Sequence, residues 1–242
     1  MTEQLCAVVT GGSAGIGAAI TQQLLEDGHK VISLARRVAE FTHENLISYE
    51  VDLADRTQTA AVAAEIAAQH DVTLLVNNAG VIRPDLIEDV KLEDLDYLTQ
   101  LHLGAMITLT QAFLPAMKAK KFGRIVNMSS RAIVGLATRT NYAGTKAAII
   151  SMSRTWALEL GQHGITVNVI APGPIVTDMF TEVIPEDSDK ARALANSIPV
   201  KRLGQSDDIA RATAFFLDKK NSFVTGQTLF VCGGTSLGSI SL

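Results

Sequence analysis

VVTGGSAGIG, residues 8–17, leads from a short β-branched run directly into a stretch with helical character. Gly11, Gly15 and Gly17 stand in it as G-x-x-x-G-x-G. Gly11 allows a tight turn. Gly15 and Gly17 let the backbone and the helix end approach a pyrophosphate, held by free N–H groups and the helix dipole. Glycines alone say little, because turns are rich in them. The force of this set lies in its place between a first strand and a helix. It predicts a bound dinucleotide.

The rest of the chain repeats that rhythm. LCAVV (5–9), KVISLA (30–35), LISYEV (46–51), VTLLVN (72–77), GRIVNM (123–128), ITVNVIA (165–171) and TLFV (228–231) read as strands. Helical stretches lie between them at about 15–27, 55–69, 91–119, 141–162 and 206–218. The strands are apolar with little alternation, as when helices cover both faces of a parallel sheet. The expectation is an α/β chain, a doubly wound parallel sheet of about seven strands flanked by helices. Gly28 and either Gly161 or Gly164 fit helix stops. No repeat, low-complexity tract or linker divides residues 1–242, so one dinucleotide-binding and catalytic domain is expected. Residues 174–204 break the rhythm. They hold three of the six prolines and room for one short helix near 188–196, and are read as a substrate lid.

Composition excludes several classes. Of 242 residues 47% are hydrophobic, enough for a large core, and 25 acidic side chains face 21 basic ones. No basic run suited to a phosphodiester backbone appears, so nucleic acid is not an expected partner. Cys6 and Cys232 sit in apolar runs, as buried free thiols in a reducing compartment do. MTEQLCAVVTGG lacks a charged segment followed by an apolar one, so no secretory leader is expected. No apolar run approaches the roughly 20 residues that span a bilayer. A cytoplasmic protein with no membrane partner follows. His29, His43, His70 and His163 show no ligand spacing, so no metal is expected.

Two further features carry chemistry. The second strand ends in Ala35, Arg36 and Arg37 where a carboxylate would meet a ribose 2′-hydroxyl. A guanidinium fork matches phosphate, so NADP(H) is expected over NAD(H) unless these arginines are merely solvated. TNYAGTKAA (140–148) sets Tyr142 and Lys146 at i and i+4, on one helix face, with only small residues between. That openness suits a phenol whose proton leaves. Ordinary packing of both side chains is the alternative.

With these features in place the chain resembles the short-chain dehydrogenase/reductases over nearly its whole length, in the branch like the 3-oxoacyl thioester reductases. TGGSAGIG resembles the family's cofactor loop, which implies contacts from Ser13 and Ile16 beside the glycines. VDLAD places Asp52 where the family meets the adenine, and NNAG places Asn78, Ala79 and Gly80 along the cofactor. NMSS and YAGTK resemble the catalytic serine, tyrosine and lysine. APGPIVT resembles the segment bordering the nicotinamide, with Pro172, Gly173, the Ile175 backbone and Thr177. PVKRLGQSDDIA and VTGQTLFVCGG resemble the closing stretches. The resemblance implies a Rossmann-type fold and hydride transfer between NADP(H) and a carbonyl or secondary alcohol, such as a 3-oxoacyl thioester or similar ketone. Tyr142 would be the general acid/base, and Lys146 would also bind the nicotinamide ribose. Lowering the phenol from about 10 to about 7 needs roughly 4 kcal/mol in favour of the phenolate. The lysine ammonium and an oxidised nicotinamide are the expected sources.

Two departures from the family pattern stand out. Its serine usually precedes the tyrosine by 13 residues, the spacing of Ser129. The second serine of the doublet normally carries the role, however, which points to Ser130 as the group that holds the substrate oxygen. In LHLGAM, His102 replaces the family's asparagine, whose proposed role is to hold a water in a proton relay. A histidine titrating near neutrality could serve that relay, or be a packed imidazole. The family also implies a homo-oligomer, dimer or tetramer, through 91–119 and 141–162. Trp156 is expected in core or subunit packing. Oxidation of a secondary alcohol or ring diol with NAD is the second enzymatic reading, and a catalytically silent NADP(H) sensor the reading from another class. Specificity is expected from the lid and from RAIVGLATRT (131–140), where Arg131 and Arg139 could meet an anionic group or be solvated.

Overall fold

Each strand sends alternate residues to opposite faces, and both sets are apolar. Ala7, Val9, Leu74, Val76 and Val126 pack on one side, and Val8, Leu75 and Ile125 on the other. The structure, a computed structural model, describes residues 4–182 and 184–237 apart from the Met179 side chain. Its elements run β1 (Cys6–Thr10), α1 (Gly15–Glu26), β2 (Lys30–Ala35), β3 (Leu46–Glu50), α2 (Arg56–Gln69), β4 (Val72–Asn77), α3 (Leu92–Thr99), α4 (Ala105–Lys120), β5 (Gly123–Met128), α5 (Thr140–Leu160), β6 (Ile165–Pro172), α6 (Asp178–Thr181), α7 (Asp189–Ser197), α8 (Ser206–Leu217) and β7 (Thr228–Val231). The seven strands form one parallel sheet in the order β3-β2-β1-β4-β5-β6-β7. α1 and α8 pack together on one face, and α2, α4 and α5 cover the other. The order reverses between β1 and β4, where such sheets open a crevice at their carboxyl edge.

The strands match their expected bounds to within one residue, because a strand buried on both faces leaves an unbroken apolar signature. The stop after α5 is Gly164, which takes φ 72°. The helix continues through Gly161 into a short 3₁₀ turn at Gly161–His163. Arg124 of β5 is buried and ties this turn to the exit of α8, donating to the carbonyls of Gly164 and Lys219 at 3.3 and 3.0 Å.

Two expectations change. The helix predicted over 91–119 is interrupted by one π-turn, Gln100–Gly104, between α3 and α4. Gln100 folds over Gly104, where a side chain would overlap it, and its Oε1 accepts from Arg56 Nε at 2.6 Å. The widened turn buries Leu101 and His102. Residues 174–204 contain two helices, α6 and α7, rather than one. Their ends are pinched together, with Val176 N–H donating to Gly204 O at 2.9 Å and Gly204 N–H to Pro174 O at 3.0 Å.

Candidate active site

Most of the residues singled out in the sequence follow the carboxyl end of a strand; Tyr142, Lys146 and His102 reach the same edge from helix α5 and the π-turn. Gly11 and Gly15 after β1 take φ of 66° and 52°, the left-handed region that favours glycine. A side chain on Gly17 would overlap the Gly11 carbonyl. Ala14 caps α1 without any side-chain bond, and the first turn carries no acidic residue. Its N–H groups are thus left for an anion, beside half-buried Ser13 and Ile16. This cradle fits a dinucleotide pyrophosphate.

The NNAG segment is stitched to β1 by a residue the sequence reading passed over. Thr10 Oγ1 accepts from the N–H groups of Asn78 and Ala79 at 2.9 Å each, and Asn78 Nδ2 donates to Thr10 O at 2.9 Å. Its only signal was a hydroxyl at a strand's last position. Asp52 is half-buried after β3 and accepts from Ala54 N–H at 2.9 Å. Arg36 and Arg37 are both exposed. Arg37 pairs with Asp178 of α6 at 3.2 Å, while Arg36 makes no ion pair among the described residues. Gly173 donates to Val231 O at 3.0 Å and lies against Cys232, where a side chain would clash. Ile175 is buried, and the Thr177 hydroxyl caps α6 by accepting from Phe180 N–H at 3.3 Å.

The two serines separate cleanly. Ser129 is buried and donates to Lys146 O at 2.8 Å, a bond that ties β5 to α5. Ser130 points the other way. Its hydroxyl accepts from Ala132 N–H at 3.1 Å and faces the Tyr142 phenol, favouring the anion. Lys146 is 4% exposed and donates from Nζ to Met128 O at 2.8 Å. Nζ stands 5.8 Å from the centroid of the Tyr142 ring.

Burial dominates the charges here and corrects one expectation. It pushes the Tyr142 phenol above its usual value, against the pull of Ser130 and Arg139. The lowering expected from the lysine together with an oxidised nicotinamide is therefore not provided by the chain's own charges alone. Burial also pushes the Lys146 ammonium down to about 7. His102, 3% exposed, does not titrate near neutrality. Desolvation, reinforced by the Lys146 charge, pushes it down to about 2. Its Nε2 accepts from Val81 N–H at 3.3 Å, which assigns the proton to Nδ1, 2.9 Å from Thr145 Oγ1. Thr145 in turn donates to Tyr142 O at 3.0 Å. The imidazole stands edge-on to the phenol ring, with centroids 5.8 Å apart. Thr10, Asn77, His102 and Lys146 line a cavity of about 10 Å³, room for one water. Asn77 Oδ1 is buried without a partner among the described residues.

Among the described residues no cluster of three or more His, Cys, Asp or Glu could hold a metal ion, and no helix is long and apolar enough to cross a membrane. Residues 11–236 match the family model described as enoyl-(acyl carrier protein) reductase. The 3-oxoacyl-[acyl-carrier-protein] reductase FabG of Salmonella typhimurium is 37% identical over 236 residues, covering 94% of this chain and 96% of that protein. Among solved structures, a short chain dehydrogenase/reductase family protein matches with a TM-score of 0.88 at 32% identity, covering 97% of this chain and 98% of that one. A blue fluorescent protein from a metagenomic library, solved in complex with NADPH, matches with a TM-score of 0.82 at 32% identity, covering 95% and 97%.

The two serines should respond differently to removal of the hydroxyl. Ser130→Ala is expected to lower carbonyl reduction about 100-fold at unchanged stability. Ser129→Ala is expected to cost about 1–2 kcal/mol of stability, read by urea denaturation, with turnover within a few-fold. Equal losses of turnover would refute the assignment.

Lys146 also predicts a stability trend. Its folded pKa, about 7, lies below the ordinary 10.5, so between those values the unfolded chain binds the extra proton. Stability then rises with pH in that window, by up to about 1.4 kcal/mol per unit. Urea denaturation at pH 7, 8 and 9 without added dinucleotide should show the rise, and Lys146→Met should flatten it.

Proposed function

Because the chain belongs to the short-chain dehydrogenase/reductase family, we propose that it reduces a 3-oxoacyl thioester, or a similar ketone, to the secondary alcohol. It is an NADP(H)-dependent oxidoreductase. The observation that carries the reading is the meeting of Ser130, Tyr142 and Lys146 at the carboxyl edge of the sheet that also presents the uncapped start of α1.

When bound, the reduced nicotinamide supplies the hydride. Gly11, Ser13, Gly15, Ile16 and Gly17 would cradle the pyrophosphate, and Arg36 and Arg37 the 2′-phosphate. Asp52, Asn78, Ala79 and Gly80 would line the adenine and ribose side, and Pro172, Gly173, Ile175 and Thr177 the nicotinamide. Ser130 holds the substrate oxygen, and Tyr142 protonates it as negative charge develops there. Lys146, poised near pH 7, accepts and returns protons at physiological pH. His102 completes the set. Because its cation is disfavoured, the neutral ring serves the relay by flanking the water-sized cavity at Lys146 rather than by carrying a charge itself. Residues 174–204 act as the lid of one catalytic domain. The protein works in the cytoplasm as a homo-oligomer, a dimer or tetramer. Half-buried Ile150, Met152 and Trp156 on α5, with Leu103 in the π-turn, support an interface there.

The test is absorbance at the reduced-nicotinamide band with NADPH and with NADH, against 3-oxoacyl thioesters and simple ketones. Turnover should be faster with NADPH, and Tyr142→Phe should lose about 100- to 10,000-fold in kcat while still binding NADPH. Turnover with NADH alone would overturn the arginine reading, and tight NADPH binding without turnover would make the chain a sensor. His102→Asn in the same assay should lower kcat with the limbs of the pH–rate profile in place, since the imidazole does not titrate there. Identical rates and profiles would remove His102 from catalysis.

A further inference from the structure

Arg139 stands one helical turn before Tyr142, where its carbonyl accepts from Ala143 N–H at 2.6 Å. The side chain is half-buried, and among the described residues its guanidinium donates only to the carbonyl and hydroxyl of Thr138. No carboxylate pairs with it among the described residues. Its charge still reaches the phenol and favours the phenolate. A partly desolvated cation is normally held by an acid. This one is held by Thr138 instead. Thr138 takes φ 66°, unfavourable for a β-branched residue, and its carbonyl accepts from Asp85 N–H at 3.2 Å. Asp85 and Arg139 pair as a short bridge, so the loops at 81–90 and 131–140 support each other.

Those loops carry exposed apolar side chains next to Arg139's bridge, together with the charged Arg83, Glu88 and Asp89 elsewhere in the first of them. Leu86, Ile87, Val134 and Leu136 are all exposed. These four apolar side chains, with one positioned guanidinium beside the acid/base that pairs with no carboxylate among the described residues, complement a ligand with an apolar body and an anionic end. Arg131 is differently employed, its Nε donating to Thr235 O at 3.1 Å.

We propose that Arg139 binds a carboxylate carried on the acyl chain of the substrate, so that the preferred substrates are 3-oxo dicarboxylic half-thioesters. This inference rests on the proposed reduction of a 3-oxoacyl thioester. A phosphate on the thiol arm is the weaker candidate. An extended pantetheine separates it from the carbonyl at Tyr142, whereas Arg139 acts on the phenol itself. Two parallel N–H···O bonds from a guanidinium fork suit a carboxylate.

The experiment uses 3-oxoglutaryl, 3-oxoadipyl and 3-oxopimelyl thioesters of N-acetylcysteamine, each as the free acid and as its terminal methyl ester, reduced with NADPH. For at least one chain length the free acid should exceed its ester in kcat/KM by about 10- to 100-fold. Arg139→Gln should bring that ratio close to unity, and Arg139→Lys should recover part of it. The ester rate in the same preparation reports whether the variant is folded. Esters reduced as well as acids at every length by the parent protein would overturn the inference while leaving the reductase reading intact. An unchanged ratio in Arg139→Gln would do the same. Reduction of neither series would overturn the reading of the reaction, and this inference with it.

Discussion

A parallel sheet covered by helices on both faces has only its edges at which to present chemistry. Every strand here points the same way, and its two faces are filled by apolar side chains from α1 and α8 or from α2, α4 and α5. The groups that bind or react therefore gather where strands end. The glycine turn follows β1, the two arginines β2, Asp52 β3, NNAG spans the end of β4, Ser130 follows β5, and the Pro-Gly segment closes β6. Six pieces far apart in sequence become neighbours because their strands are neighbours. The reversal of order between β1 and β4 leaves room for a ligand among them.

Polar bonds then secure what the apolar layers only approximate. Thr10 fastens NNAG to β1, and Ser129 fastens α5 to β5. Asn77 donates to Asn127 Oδ1 at 2.8 Å, and Asn127 to Ser153 Oγ at 2.9 Å, so β4, β5 and α5 are also linked inside the core. Each of these bonds lies in a poorly hydrated setting, where leaving a partner unmade is costly. They hold the face of α5 that carries Tyr142 and Lys146 against the strand ends.

Burial sets the electrostatic character of the result. Lys146 loses solvent and comes down to about 7, and the neighbouring imidazole is kept neutral. The phenol is pushed the opposite way, opposed only by Ser130 and Arg139. Of these three groups, the lysine is the one that burial brings close to neutrality. On the other side of the crevice, Arg37 reaches Asp178 at the start of the 174–204 segment, so the end of β2 and the base of that segment are in direct contact.

Much of this was legible in the sequence alone. Strands buried on both faces leave apolar runs, glycines at left-handed turns are not replaceable, and an i, i+4 pair shares a face whatever the tertiary context. Those signals are local, so strand bounds, the glycine turn and the Tyr142–Lys146 face could be read directly. The π-turn could not, because it shares the apolar periodicity of a helix and depends on Gln100 bonding to Arg56 of a distant helix. The choice between Ser129 and Ser130 turned on which hydroxyl faces the phenol, and the protonation of His102 on how deeply it is buried beside Lys146. The partners of Arg37 and Arg139 were equally hidden. Desolvation and contacts between residues remote in sequence arise only once the chain has folded, and they decided what each charged group can do.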